Sequence, residues 1–236
     1  MLKRALLIYL VANFGLIGLV MWLRGGWYAG LTESPLAGML AQLGLVVLPN
    51  LLLPVLLLRF EGLPPTQSIH QSLGWIWSGR RTVLASGAGF FLFIALSYAV
   101  SAWIGEPIPY QVPGVEPLSA DTLPQAGGLF VLLFLFVGLT VAAEESMFRG
   151  LLQFRFSGRF GVFAGLIAAA LLFGLRHLPD DLFYASLWSA DSRMWLAREV
   201  QLYGGALLFG MARYFGRSTY ASAILHVLIF AVALFS

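Results

Sequence analysis

The sequence predicts an all-α, polytopic transmembrane helical bundle, and three observations carry that prediction. Of the 236 residues, 59% are hydrophobic and only 11% are charged, whereas about 25% are charged in an ordinary soluble domain. Several apolar runs approach or exceed the roughly 20 residues that a helix needs to cross a bilayer. The polar stretches between the runs are short loops. We therefore predict one integral-membrane domain over residues 1–236.

Seven spans are the simplest division of the apolar runs, with eight as the alternative. In chain order they are predicted at residues 5–23, 36–58, 83–104, 129–154, 162–177, 201–214 and 219–235. The first run follows Lys3-Arg4 as in a signal peptide, but it lacks a small-residue cleavage site and is predicted to be retained. Residues 182–188 fit an interfacial helix or a longer span, which would make eight.

Charge predicts the orientation. With a cytoplasmic N-terminus, the inner segments contain nine of the fourteen Lys and Arg residues and the outer loops contain four. The positive-inside rule favours that arrangement, which places the C-terminus outside. We expect the plasma membrane of a bacterium or archaeon. The net charge of +3 comes from loop arginines, so nucleic acid is not an expected partner. The absence of cysteine excludes thiol nucleophiles and disulfides.

A charged cluster lies inside the fourth predicted span. Glu144, Glu145 and Arg149 follow residues 127–143, which contain no charge. One such group at a helix centre costs roughly 2.5–3.5 kcal/mol on insertion scales. Glu145 and Arg149 are four apart and on an α-helix would form a pair on one face, whereas Glu144 is rotated by about 100°. Glu144 is therefore free to face a polar cavity and act as a general base.

Two histidines extend this cluster. His177 and His226 belong to later spans, whereas His70 lies in a polar loop and is expected to be solvated. Ser222 precedes His226 by one helical turn and could orient its imidazole. Glutamates, an arginine and imidazoles at membrane depth are what an intramembrane hydrolytic or proton-transfer site requires.

These residues resemble a known family. Glu144-Glu145-x-x-x-Arg149, Phe173-x-x-x-His177 and a late-span His226 are similar to the motifs of the CPBP intramembrane endopeptidases, which include the type II CAAX prenyl endopeptidases and the bacteriocin-processing and self-immunity homologues. Phe209-Gly210 resembles a third, weaker motif. The resemblance covers roughly residues 129–235.

The resemblance implies a glutamic-type peptidase with no cofactor and no metal. It implies that Glu144 and His177 activate a water molecule, and that His226 stabilises the oxyanion. Glu145, Arg149 and Phe173 would support the site. The implied partners are the lipid bilayer and a membrane-associated protein or peptide, cut near its C-terminus. A site in the outer half of the membrane would fit a member that processes C-terminal sorting signals, like the myxosortases.

One position departs from the family. The family's second oxyanion donor is an asparagine four residues after the last histidine, and here that residue is Phe230. The only asparagines are Asn13 and Asn50. A backbone N–H or Asn50 could replace the missing donor, or turnover could be weak. We expect a divergent but active member, because the first two motifs are complete.

Two other classes of function stay open at this point. A membrane metallohydrolase could use the Glu and His residues as ligands, although the zinc signature HExxH is absent. A non-catalytic or transport-type membrane protein could use a Glu–Arg–His network structurally. No inverted repeat of the kind found in transporters is evident, whereas Phe230 favours an inactive homologue.

Overall fold

The computed structural model describes residues 2–15, 43–62, 68–105, 127–184 and 192–235. Every regular element in these ranges is helical and none is a strand, which confirms the all-α prediction. Residues 16–23 of the first predicted span, residues 36–42 of the second and residues 106–126 lie outside the described residues. The number of spans and the cytoplasmic N-terminus therefore stay predictions.

The described helices overlap the predicted spans, although the helix Ser192–Gly216 begins nine residues before the predicted span 201–214. The α-helices are α1 (Leu2–Leu10), α2 (Leu48–Phe60), α3 (Ile69–Ser72), α4 (Arg80–Ile104), α5 (Gly127–Glu145), α6 (Phe154–Phe160), α7 (Val162–Tyr184), α8 (Ser192–Gly216) and α9 (Thr219–Phe235). Three π-helical segments accompany them, at Val11–Gly15, Leu43–Val47 and Ser146–Gln153. Gly105 ends α4 with a φ of 80°, and Gly161 separates α6 from α7 with a φ of 90°. Both φ values lie in the region that glycine adopts without strain.

Length and hydropathy agree with a membrane protein. Among the described residues, two helical stretches are long and apolar enough to cross a bilayer: Leu43–Phe60, with a mean hydropathy of 2.1, and Arg80–Ile104, with 2.0. Two shorter apolar stretches occur at Val162–His177 and Thr219–Val232. The chain is an all-α membrane protein, as the composition predicts.

The chain divides into two compact units, which we describe separately. The first comprises Met1–Ile69, Tyr110–Met147 and His226–Ser236. In it, α2 packs against both α1 and α5. Two buried amides join the π-helical segment Val11–Gly15 to α2: the Nδ2 of Asn13 donates to Oδ1 of Asn50 and the Nδ2 of Asn50 to Oδ1 of Asn13, each over 3.1 Å. This reciprocal pair satisfies polar groups that would otherwise be costly away from water.

The second unit comprises His70–Pro109 and Phe148–Leu225. In it, α8 packs against both α4 and α7. Glycines permit this close packing, since a Cβ at Gly174 would overlap the ring of Tyr203 and one at Gly204 would lie 2.5 Å from Leu96. Small residues at helix interfaces are the usual means of close approach between membrane helices. The prediction of one domain over 1–236 stays a prediction.

Candidate active site

The two glutamates lie at the C-terminal end of α5, where the helix type changes. The α-helix ends at Glu145 and a π-helix continues from Ser146 to Gln153. The sequence predicts an uninterrupted α-helix here, and that expectation is wrong. The predicted Glu145–Arg149 pair assumed α-helical spacing between the two residues. The α-helix ends at Glu145, so that assumption does not apply and the pair stays a prediction. Such π-helical segments occur frequently at functional sites.

Both glutamates approach His226 of α9. The Nδ1 of His226 lies 3.0 Å from Oε1 of Glu145, and its Nε2 lies 3.8 Å from Oε2 of Glu144. All three side chains are buried, with Glu145 fully inaccessible. With Glu145 ionised, its carboxylate only accepts hydrogen bonds, and Nδ1–H is then the donor in this contact. That bond fixes the ring and directs Nε2 towards Glu144, which is the usual way in which one hydrogen bond sets the role of the other imidazole nitrogen.

Phe230 packs on the same imidazole. Its ring is stacked on that of His226, with centroids 5.2 Å apart and an interplanar angle of 19°. The residue in the asparagine position of the family therefore offers no hydrogen-bond donor, and holds one face of the imidazole instead. Sequence reasoning identified the missing donor but did not predict the stacking, because residue spacing does not reveal rotamers.

Asn50 does not supply the missing donor. Its Nδ2 carries two hydrogens, and it donates to Oδ1 of Asn13 over 3.1 Å and to the carbonyl of Val46 over 2.9 Å. Both donors are used, and the side chain is fully buried. The suggestion that Asn50 replaces the family asparagine is therefore wrong.

The amide pair gives a testable contrast. We expect Asn50→Leu to lower the free energy of unfolding by about 1–2 kcal/mol, because it leaves the buried amide of Asn13 without its partner. The double variant Asn13→Leu/Asn50→Leu should recover much of that loss, since replacing both partners by apolar groups can be nearly neutral. Denaturant unfolding in detergent measures both. A double variant that is less stable than the single one would contradict the pairing.

Ser222 does not have the predicted orienting role. Its hydroxyl donates to the carbonyl of Thr219 over 3.0 Å, a local bond typical of serine in helices. The imidazole of His226 is oriented by Glu145 and Phe230 instead. Helical spacing placed Ser222 on the face of His226, but the nearer backbone carbonyl is the acceptor that it uses.

Arg149 lies in the second unit, inside an aromatic cage. Its guanidinium carbon is 4.6 Å from the ring centroid of Phe173 and 4.9 Å from that of Phe209, with Phe148 at 5.9 Å. Its Nη2 donates to the carbonyl of Ala206 over 3.0 Å. The side chain has no exposed surface, and a desolvated cation over aromatic faces gains about 2 kcal/mol or more.

The same cage explains two of the motifs. Phe173 contacts Phe209 at a centroid distance of 6.0 Å and the imidazole of His177 at 5.0 Å. The four-residue spacing of Phe173 and His177 thus joins the cage to the second histidine. At Gly210 of the third motif a Cβ would lie 2.8 Å from the Leu166 side chain, so a larger residue would displace that side chain.

Gln153 is a supporting residue that the sequence analysis missed. Its Nε2 donates to the carbonyl of Gly210 over 3.1 Å, one helical turn beyond the carbonyl of Ala206 that Arg149 binds. Two polar side chains of the π-helix thus bind successive turns of α8. The sequence did contain a signal for Gln153, since it is a polar residue in an apolar run, four positions after Arg149.

The predicted residues therefore fall into two groups. Glu144, Glu145 and His226 meet in the first unit. Arg149, Phe173 and His177 are joined through aromatic contacts in the second. Within the described part of the chain, no group of three His, Cys, Asp or Glu side chains could hold a metal ion. The first group is a compact acid–base cluster in which an oriented imidazole faces a second carboxylate.

Comparison with known proteins finds a similarity for this region. Residues 126–232 match the family model described as type II CAAX prenyl endopeptidase, Rce1-like. No match was found among the curated proteins or among the solved structures. The match confirms the resemblance to the CPBP family that the motifs indicated, while the sorting-enzyme subtype stays a prediction.

Proposed function

Because residues 126–232 match the family model of the Rce1-like type II CAAX prenyl endopeptidases, we propose that this chain is an intramembrane glutamic-type endopeptidase. Its substrate is a membrane-associated protein or peptide, which it cuts at a peptide bond near the C-terminus. The observation that carries the proposal is the buried cluster in which His226 lies hydrogen-bonded to Glu145 and faces Glu144.

The proposed reaction begins at Glu144. Its carboxylate takes a proton from a water molecule, and the water oxygen attacks the scissile carbonyl carbon. The carbonyl oxygen becomes an oxyanion, which the Nε2–H of His226 stabilises. When the C–N bond breaks, the proton passes from Glu144 to the leaving amine. The products are a carboxylic acid and a free amine, and no group outside the chain other than water is consumed.

The hydrogen bond to Glu145 supports that role of His226. Nε2 can donate while Nδ1–H is bound to Glu145 only if the imidazole carries both protons. A carboxylate at 3.0 Å stabilises that cation by a charge-assisted bond. In this proposal Glu145 positions His226, and it does not act on the substrate.

We assign the remaining residues to support. His177 assists the proton transfers, as the family resemblance implies, and Phe173 holds its ring at a centroid distance of 5.0 Å. Arg149, whose guanidinium lies over the rings of Phe173 and Phe209, has a supporting role, as the family resemblance implies. We further propose a plasma-membrane location with a cytoplasmic N-terminus.

Two substrates test the function. One is an internally quenched peptide that ends in a prenylated CAAX-type sequence, and the other is a peptide with a C-terminal apolar anchor of the sorting-signal kind. Each is incubated with purified protein in liposomes, and mass spectrometry locates the cut. Cleavage of the first supports CAAX-type processing, and cleavage of the second supports sorting. The proposal fails if neither is cut, and a binding role like that of an inactive homologue would then be favoured.

Chelators separate the glutamic mechanism from a metal-dependent one. We expect cleavage to persist after dialysis against EDTA and 1,10-phenanthroline, because the proposed steps need only carboxylates, imidazoles and water. The rate before and after chelation is the measurement, and added zinc serves as the control. Activity that disappears with chelator and returns with zinc would assign the chain to the metallohydrolases.

A further inference from the structure

Thr140 of α5 is a buried polar residue without a role in the mechanism so far. Its side chain is 5% exposed, and its Oγ1 has no hydrogen-bond partner among the described residues. Threonine in a helix ordinarily satisfies its hydroxyl on the carbonyl three or four residues earlier. A buried hydroxyl that makes no such bond is rare enough in folded proteins to require an explanation.

Thr140 lies on the face of α5 that carries Glu144. The two are four residues apart within the α-helical part of α5, which continues to Glu145. Residues at this spacing are surface neighbours, with Cβ atoms about 5–6 Å apart. Both side chains are buried. The unused hydroxyl is thus one turn from the proposed general base.

The predicted topology gives Thr140 and Phe230 about the same depth in the membrane. In the predicted order of spans α5 is the fourth and α9 the seventh, so they run in opposite directions. Thr140 lies four residues before Glu144 on α5, and Phe230 lies four residues after His226 on α9. Each step is about 6 Å along its helix, and because the helices run in opposite directions both steps lead towards the same side of the membrane. Phe230 provides no donor at that level, because its ring is stacked on His226.

The chemistry requires a donor there. A tetrahedral oxyanion is normally bound by more than one preorganised donor, and in this unit only Nε2 of His226 is assigned so far. Asn50 is excluded because both of its amide hydrogens are used. We propose that the Thr140 hydroxyl donates to the substrate carbonyl oxygen as the second oxyanion donor. This inference rests on the proposed function, and it deepens that function at the same site.

Two matched variants test the hydroxyl. We expect Thr140→Val, which keeps the shape, to lower kcat by about 100-fold with little change in KM, as the loss of one oxyanion donor does. Thr140→Ser keeps the donor and should retain most of the wild-type kcat. A packing role predicts the reverse order, because Val preserves the volume and Ser removes a methyl group. Wild-type kcat in the Val variant would overturn the inference.

A binding measurement separates this inference from the proposed function. The probes are the aldehyde of whichever of the two peptides is cleaved, whose hydrate resembles the tetrahedral intermediate, and the matching alcohol; thermal shift compares their binding. We expect the wild type to bind the aldehyde more tightly than the alcohol, and Thr140→Val to lose at least about tenfold of that preference. A wild type without the preference would contradict the proposed function. A preference that Thr140→Val retains in full would contradict the role of Thr140 alone.

Discussion

Replacing Glu144 by Gln should reduce kcat by at least about 10²–10⁴-fold, the usual contribution of a general base. The amide keeps the size of the side chain but cannot take a proton from water. KM should change little, because the loss falls on the chemical step. Kinetics on whichever of the two peptides is cleaved provide the measurement.

Stability is the control for that variant. Glu144 is buried and its Oε2 lies 3.8 Å from Nε2 of His226, a distance longer than a hydrogen bond. Thermal unfolding therefore has to show that Glu144→Gln, which keeps the size of the side chain, is folded at the assay temperature. A folded variant that cleaves at an undiminished rate would rule out Glu144 as the base.

The second large effect is expected at Glu145. We expect Glu145→Gln to lower kcat by about 10²–10³-fold, since the imidazole loses the carboxylate that holds Nδ1–H and so the donor at Nε2. Removing His226 itself, by His226→Ala, should have an effect of the same order. We link the effects of the two substitutions because the buried Glu145 carboxylate and the buried His226 imidazole are in contact at 3.0 Å.

The double variant distinguishes positioning from an independent contribution. If Glu145 acts only through His226, then Glu145→Gln/His226→Ala should be no slower than His226→Ala alone, because residues that act as a unit are strongly non-additive. Each variant is first checked for folding by thermal unfolding. Additive losses in kcat would show that Glu145 has a separate role, and the assignment as a positioning residue would be withdrawn.

Much of the site was accessible from sequence because of what the membrane demands. A charged or imidazole side chain in an apolar span is costly. The sequence alone therefore indicates candidate site residues at Glu144, Glu145, Arg149 and His226. The resemblance then connected them to His177 and to Phe173. The limits of α9 were also predicted, since the span at 219–235 coincides with the observed helix Thr219–Phe235, whereas α8 begins nine residues before the predicted span 201–214.

Other features depended on packing between segments far apart in the chain. The π-helix at Ser146–Gln153 lies in a stretch whose periodicity is compatible with an α-helix. Its side chains Arg149 and Gln153 bind carbonyls of α8. Each of these hydrogen bonds joins two residues that are 57 positions apart in the chain. Local propensity contains no information on such contacts, since tertiary context routinely overrides it.

The sequence by itself determined that this is an all-α membrane protein with a Glu–His cluster, because apolar length and the cost of buried charge are properties of composition and spacing. Only the tertiary structure decided which partner each polar group has. Glu145, not Ser222, holds His226; Asn50 is committed to Asn13; and the hydroxyl of Thr140 is left unused among the described residues. Hydrogen bonds act over about 3 Å, and distances of that size are set by side-chain rotamers and helix packing.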